Sequence, residues 1–328
     1  MDFDKLFSSF KDIKVAVIGD VMLDTYWWGK VDRISPEAPV PIVAVSKREE
    51  RIGGAGNVAL NIQALGAVVS VISVIGNDAE ADQLRSLLDN NNINTTHLIN
   101  SKERITTNKI RIIGRNQQMM RLDAEITKPL STNDEEALLS SFESYIKNES
   151  PSIVILEDYN KGVLTTTVIQ KIISLCKANN ILTAVDPKRK NFFAFEQVDI
   201  FKPNLHEAKE GLNIISDEVT DNSLKNIHQA LHEKLHHLIS LITLSEKGVF
   251  FQTGNEHMII PTHIRSIADV SGAGDTVIAV ASLVYAATKD VHLMAEMANI
   301  AGGLVCEEVG TVAIDKTRLL EECKHLLN

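Results

Sequence analysis

The 328-residue sequence predicts an α/β fold, a mainly parallel central sheet with helices on both faces and a small β-sheet lid. Three observations predict it. Short β-branched apolar runs recur along the chain, helical patterns lie between them, and two segments that lack helices interrupt the rhythm. No low-complexity linker occurs, so one continuous domain over residues 1–328 is expected.

The first strand is "KVAVIGD" (14–20), a short β-branched run closed by Gly-Asp. "VVSVISVIG" (68–76), "SIVILED" (152–158), "ILTAVDP" (181–187) and "LISLITLS" (238–245) have the same character. Helical patterns fill the intervals at 57–65, 79–88, 134–146, 165–178 and 223–235, and "TRLLEECKHLLN" (317–328) closes the chain as a helix. The lid comprises residues of about 21–48 and 105–123. Its first part holds both tryptophans and a proline cluster within 26–45, and its second reads as a hairpin turning near 114–117. Together they are expected to form a small antiparallel sheet whose apolar face needs a partner, either the substrate pocket or a second subunit. Tyr26, Trp27 and Trp28 are the residues expected to pair two copies into a homodimer.

Bulk composition narrows the function. Lys and Arg number 33 against 43 Asp and Glu, a formal net charge of −10, which excludes broad nucleic-acid binding but not a local basic pocket. Cys176, Cys306 and Cys323 are far apart and carry no metal or disulfide spacing. No apolar run reaches the ~18 residues of a membrane span, and the N-terminus lacks a signal-peptide pattern, so a cytoplasmic protein without membrane association is expected. His228, His232 and His236 recur every four residues, a spacing that can bind zinc. They lie among Gln229, Glu233, Lys234 and His237 with no completing ligand, so a solvated helix face is the preferred reading.

Three constellations could carry chemistry. In "DVSGAGDT" (269–276), the backbone N–H groups of Gly272, Ala273 and Gly274 would point out of a helix start, where the helix dipole favours anions. Asp275 adds a carboxylate beside them, an arrangement suited to phosphoryl transfer to a hydroxyl. A plain glycine turn is the alternative. In "RIGGAGNVALNIQALG" (51–66), Gly53, Gly54 and Gly56 precede Asn57 and permit close approach of a ligand, or form a structural turn. A dinucleotide fingerprint fails here, because no GxGxxG follows the first strand. In "FKPNLHEAKEG" (201–211), Asn204 and Glu207 share a helix face. They could hold a hydrated magnesium, or simply cap the helix.

In this order, "GGAGN" (53–57), "NLHE" (204–207) and "DVSGAGD" (269–275) resemble the ribokinase (PfkB) family of carbohydrate kinases, over essentially the whole chain. The resemblance implies a ribokinase-like domain that uses ATP with Mg²⁺ to phosphorylate a sugar hydroxyl. It implies Asp275 as base, Gly272, Ala273 and Gly274 in the anion hole, and Asn204 and Glu207 near the metal through water. "TLSEKG" (243–248) is similar to the loop beside the ATP phosphates and ribose, which implicates Thr243, Ser245 and Gly248. Asn299 matches the adenine-side position, or faces a neighbouring helix. Many members bind K⁺ beside the anion hole, here through Asp269. The family usually has Thr where this chain has Ser271, which keeps the hydroxyl.

Segments 19–43, 115–123 and 157–162 look like those of one subgroup, the D-glycero-β-D-manno-heptose 7-phosphate kinases of lipopolysaccharide core biosynthesis. That implies phosphorylation at C1 to give the 1,7-bisphosphate and ADP. The substrate's own phosphate needs cations, and Arg115, Lys161 and then Arg33 are the candidates. Lys109 and Arg111 read instead as solvated lid residues. Asp20 and Asp24, after the first strand, and Gly53, Gly54 and Asn57 complete the expected acceptor site. In some organisms this kinase is fused to a cytidylyltransferase-like domain, and nothing like its nucleotide loop occurs here. A kinase of the same family for another sugar or sugar phosphate, or a catalytically inactive sugar- or nucleotide-binding regulatory protein, are the competing readings.

Overall fold

The computed structural model describes residues 1–114, 117–216, 218–263 and 265–327. In chain order it runs α1 (Phe3–Ser9), β1 (Lys14–Gly19), β2 (Val21–Ile34), β3 (Pro41–Gly54), α2 (Ala55–Ala64), β4 (Val68–Ile75), α3 (Ala79–Asn90), β5 (Leu98–Asn100), β6 (Asn108–Gly114) and β7 (Gln117–Ala124). It continues α4 (Thr132–Glu149), β8 (Ile153–Glu157), α5 (Thr166–Ala178), β9 (Leu182–Asp186), β10 (Ile200–Phe201), α6 (Leu205–Gly211), α7 (Asp221–Leu235) and β11 (Ile239–Thr243). It ends β12 (Val249–Thr253), β13 (Glu256–Ile260), α8 (Ala273–Thr288), α9 (Val291–Val305) and α10 (Lys316–Leu326).

The main sheet has nine strands in the order β13-β12-β11-β10-β9-β8-β1-β4-β5. It is parallel from β11 through β5, and β12 and β13 add an antiparallel edge hairpin. Alternation along β1 explains why both faces are covered. Val15 and Val17 pack with α1, α2, α8, α9 and α10, whereas Ala16 and Ile18 pack with α4, α5 and α7. Helix α8 is buried continuously from Asp275 to Tyr285, as befits a helix apolar nearly all round. Side-chain caps start most of the others: Asp78 for α3, Ser131 for α4, Thr165 for α5 and Asp290 for α9.

The second sheet is the lid, in the order β3-β2-β6-β7. Its two hairpins are antiparallel, but β2 and β6 pair in parallel, with Tyr26 opposite Arg111. The expectation of an antiparallel lid is therefore corrected to a mixed sheet. Both excursions leave the C-terminal edge of the main sheet, so their outgoing strands lie side by side and the returning strands β3 and β7 flank them. A second correction concerns the aromatic triplet. Tyr26 and Trp28 point to one face and Trp27 to the other, as successive strand residues must. Trp27 shares its face with Ile110, Ile112, Met120 and Leu122, whereas Tyr26 is buried with the guanidinium groups of Arg51 and Arg111 against its ring. Among the described residues no helix is long and apolar enough to cross a membrane.

Candidate active site

The register of three adjacent strands gathers the site. Gly19 lies opposite Glu157, and Glu157 opposite Asp186, so the C-terminal ends of β1, β8 and β9 are aligned. Lys202 follows β10 and donates its amide to the Val185 carbonyl. Helix α8 starts above this edge at Gly272, whose φ of +80° suits glycine. Among the described residues, the N–H groups of Gly274 and Asp275 have no intrachain acceptor, the usual condition of a helix N-terminus. Of the expected donors Gly272, Ala273 and Gly274, the Ala273 amide bonds the Val270 carbonyl at 3.3 Å, and Asp275 supplies an open amide that was not among them.

Asp275 sits in the first turn of α8 and is 5% exposed. Asn57 Nδ2 donates to its Oδ2 at 2.7 Å, and Tyr159 Oη donates to its Oδ1 at 2.7 Å. Burial, with the negative charge of Asp186 adding to it, pushes its pKa up to about 6 against these two donors. Carboxylate oxygens of Glu157, Asp186 and Asp275 all lie within 4.8 Å of one another. Asp186 carries its own counter-charges, Lys202 at 2.8 Å and Lys188 at 3.0 Å. They outweigh its burial and keep its pKa low. Glu157 forms no ion pair among the described residues, and Lys188 and Lys202 only partly offset its surroundings. Both its oxygens are buried without a hydrogen bond, and burial beside Asp186 and Asp275 drives its pKa well up.

The other expected residues fall into distinct places. Asn204 and Glu207 form a reciprocal capping box on α6, and the second Glu207 oxygen accepts from Lys188 at 2.6 Å. An isolated bridge joins Asn204 to Thr243, which brings the end of β11 beside them. Ser245 and Gly248 turn the chain there with φ of +55° and +96°. Asn299 is buried and donates to the Pro261 carbonyl, so it fixes a loop. Asp269 accepts from the Ser271 amide and hydroxyl and from the Gly310 amide.

On the acceptor side, Asp24 is buried and paired with Arg111 at 2.5 Å. Gly53 leaves room for it: a Cβ there would come within 2.4 Å of Asp24 Oδ2. Lys161 and Lys109 both approach Glu125, at 2.7 and 3.6 Å. Asp20 is employed differently from expectation. Its carboxylate accepts the amides of Tyr159, Lys161 and Val163 at 2.9 to 3.0 Å, so it shapes the loop after β8. Arg33 is exposed, nine residues along β2 from Asp24, roughly 30 Å at ~3.3 Å per residue. Arg115 lies outside the described residues.

Glu157, Asp186, Lys188, Lys202 and Tyr159 escaped the sequence reading. One signal could have found two of them: Glu157 and Asp186 each close a buried β-branched run, where α/β ligands bind.

A family model described as pfkB family carbohydrate kinase matches residues 12–318. The chain is 42% identical over 323 residues to the bifunctional protein HldE of Aliarcobacter butzleri, covering 97% of this chain and 66% of the relative. It is 39% identical to the bifunctional protein HldE of Sulfurimonas denitrificans, covering 97% and 65%. The chain thus spans just under two thirds of these relatives. Among solved structures, phosphofructokinase-2 from Escherichia coli in complex with potassium matches with a TM-score of 0.80 at 18% identity, over 96% of this chain and 99% of that one. Arabidopsis thaliana ribokinase complexed with ribose and ATP matches at 0.72 and 15%, over 94% and 98%. At these identities the likeness is one of fold.

Proposed function

Because the chain belongs to the pfkB family of carbohydrate kinases, we propose that it phosphorylates the C1 hydroxyl of D-glycero-β-D-manno-heptose 7-phosphate with ATP. The products are the 1,7-bisphosphate and ADP, destined for ADP-heptose and lipopolysaccharide core synthesis. One observation carries the kinase chemistry: a buried carboxylate, Asp275, beside unbonded backbone amides at the start of α8. The choice of sugar rests on the lid segments and the loop at 157–162, supported by the HldE relatives.

Asp275 is ionised above about pH 6 and takes the proton of the attacking hydroxyl. The anomeric hydroxyl is more acidic than other sugar hydroxyls, so a carboxylate is an adequate base for it. The amides of Gly274 and Asp275 stabilise negative charge on the moving phosphoryl group. Lys202 borders the same helix start, 3.7 Å from where a Cβ on Gly274 would stand. Asn204 and Glu207 fit Mg²⁺ through water only, because both Glu207 oxygens already accept hydrogen bonds. When bound, Mg²⁺ supplies charge neutralisation on the ATP phosphates. Thr243, Ser245 and Gly248 border the nucleotide, and Asn299 supports that side. Gly53, Gly54, Asn57, Asp24 and Lys161 line the acceptor. Asp269 is the K⁺ candidate; equal activity in potassium and tetramethylammonium salts would remove it. The protein works as a cytoplasmic homodimer, joined through the apolar lid face.

The test is ADP release with Mg-ATP and a panel of the heptose 7-phosphate, fructose 6-phosphate, ribose and fructose. Turnover confined to the heptose phosphate is expected. Preference for fructose 6-phosphate would keep the kinase and overturn the sugar, and Asp275→Asn should lower kcat by about 10²–10⁴-fold.

A further inference from the structure

We propose that Tyr159 is a positioning residue for Asp275: its hydroxyl fixes the orientation of the carboxylate and holds down its affinity for a proton, and Asp20 anchors it there. The proposal rests on the reading of Asp275 as the base.

The carboxylate is gripped at both oxygens from two separate elements. Asn57 reaches Oδ2 from α2, and Tyr159 reaches Oδ1 from the loop after β8, each at 2.7 Å. Each carboxylate oxygen has two acceptor directions, so the substrate hydroxyl still has room to donate. Tyr159 belongs to no helix or strand, yet its place is fixed. Its own amide, and those of Lys161 and Val163, end on the buried Asp20 carboxylate. The Asn160 amide ends on Asp158 at 2.7 Å, and the Lys188 ammonium lies 5.8 Å from the Tyr159 ring centroid. A side chain that merely filled space would not need this much backbone support.

The electrostatics give the hydroxyl a task. Around Asp275 stand Glu157 at the end of β8, Asp186 at the end of β9, Lys202 after β10, and Lys188 behind Asp186. The carboxyl neighbours favour protonation of Asp275, and Lys202 opposes it. Hydrogen-bond donors to a carboxylate favour its charged form. Asn57 and Tyr159 are the two neutral donors present. Without the phenol, the negative neighbours gain ground and the base is lost at a higher pH.

The test is the pH profile of kcat with Mg-ATP and the heptose 7-phosphate. In Tyr159→Phe the acid limb should move up by about one pH unit, tenfold in proton affinity, and the rate should largely recover at high pH. A general structural loss would lower the rate at every pH without moving the limb, and that result would overturn the proposal. A second protein guards against a variant that does not fold. Biosynthetic 3-fluorotyrosine at all four tyrosines makes the phenol a stronger donor, and the limb should move down. An unmoved limb there also overturns the proposal. Asp275→Asn separates the two readings. If it turns over normally, the base assignment falls and takes this inference with it. If it is inactive while Tyr159→Phe leaves the limb unmoved, only the role of Tyr159 falls.

Discussion

Asp275 weakens the fold that positions it. Its pKa is about 6 in the folded chain and near the ordinary ~3.9 when unfolded. The folded state therefore takes up this proton first, and stability attributable to the group rises as pH falls from above 6 toward 4. At neutral pH the buried charge costs on the order of 2–3 kcal/mol. Asp275→Asn should thus be more resistant to urea than the wild type at pH 7.5, by about 1–3 kcal/mol, while losing turnover. The gain should vanish near pH 4, where the wild-type carboxyl is itself neutral. A variant less stable at pH 7.5 would show that the accepted hydrogen bonds outweigh the buried charge.

At the scale of elements, the junction of β3 and α2 tolerates no added side chain. Gly54 has φ +60°, and a Cβ there would lie 2.3 Å from the Asp20 carbonyl oxygen. That carbonyl already accepts the Ala55 amide. Gly54→Ala should cost about 2 kcal/mol or more, read as a lower urea midpoint, and should displace Asn57 from Asp275. The five long parallel strands are legible in sequence because β-branched runs apolar on both faces fit only a covered sheet. Strand β10 is two residues long and has no period to read. The edge hairpin of β12 and β13 departs from the strand–helix alternation, although Gly254 and Asn255 sit at its turn. The lid segments read as strands, but the parallel pairing of β2 with β6 joins residues about 85 apart, which nothing local encodes. The site divides in the same way. Asp275, Asn57 and the glycines stand in compact motifs. Glu157, Asp186, Lys202 and Tyr159 are single residues that only the strand register brings together.

Over the whole molecule, two buried histidines oppose the buried carboxyls in the acid response. His228 and His237 flank Ser240 Oγ at 2.9 and 2.6 Å, so the chain uses His228 in its core rather than on a solvated face. Burial pushes their pKa values down to about 4 and about 3. Unfolded, they would titrate near 6.5, so the unfolded chain binds these protons first. Their contribution is complete above pH 6.5 and is lost progressively as pH falls toward 4. This opposes the term from the buried carboxyls whose pKa values are raised, Asp275, Glu157, Asp158 and Asp20. His237→Phe removes one histidine term, so its thermal midpoint should gain on that of the wild type as pH falls from about 6.5 to about 4.5. The dimer is tested by Trp27→Glu, which should give monomer mass by light scattering while the wild type gives dimer mass.

The alternation of the lid has an evolutionary consequence. Along β2 and β6, residues of one parity, Asp24, Tyr26, Lys109 and Arg111, turn toward the pocket side, and those of the other, Trp27, Ile110 and Ile112, turn away. Two selections are thus interleaved in a single ribbon. On the proposed reading of the lid, one set of positions meets the sugar and the other a second copy, so substrate range and assembly would be separately evolvable. A one-residue insertion early in β2 would reverse the faces of the β2 residues beyond it, Tyr26 and Trp27 among them, and leave β6 as it is.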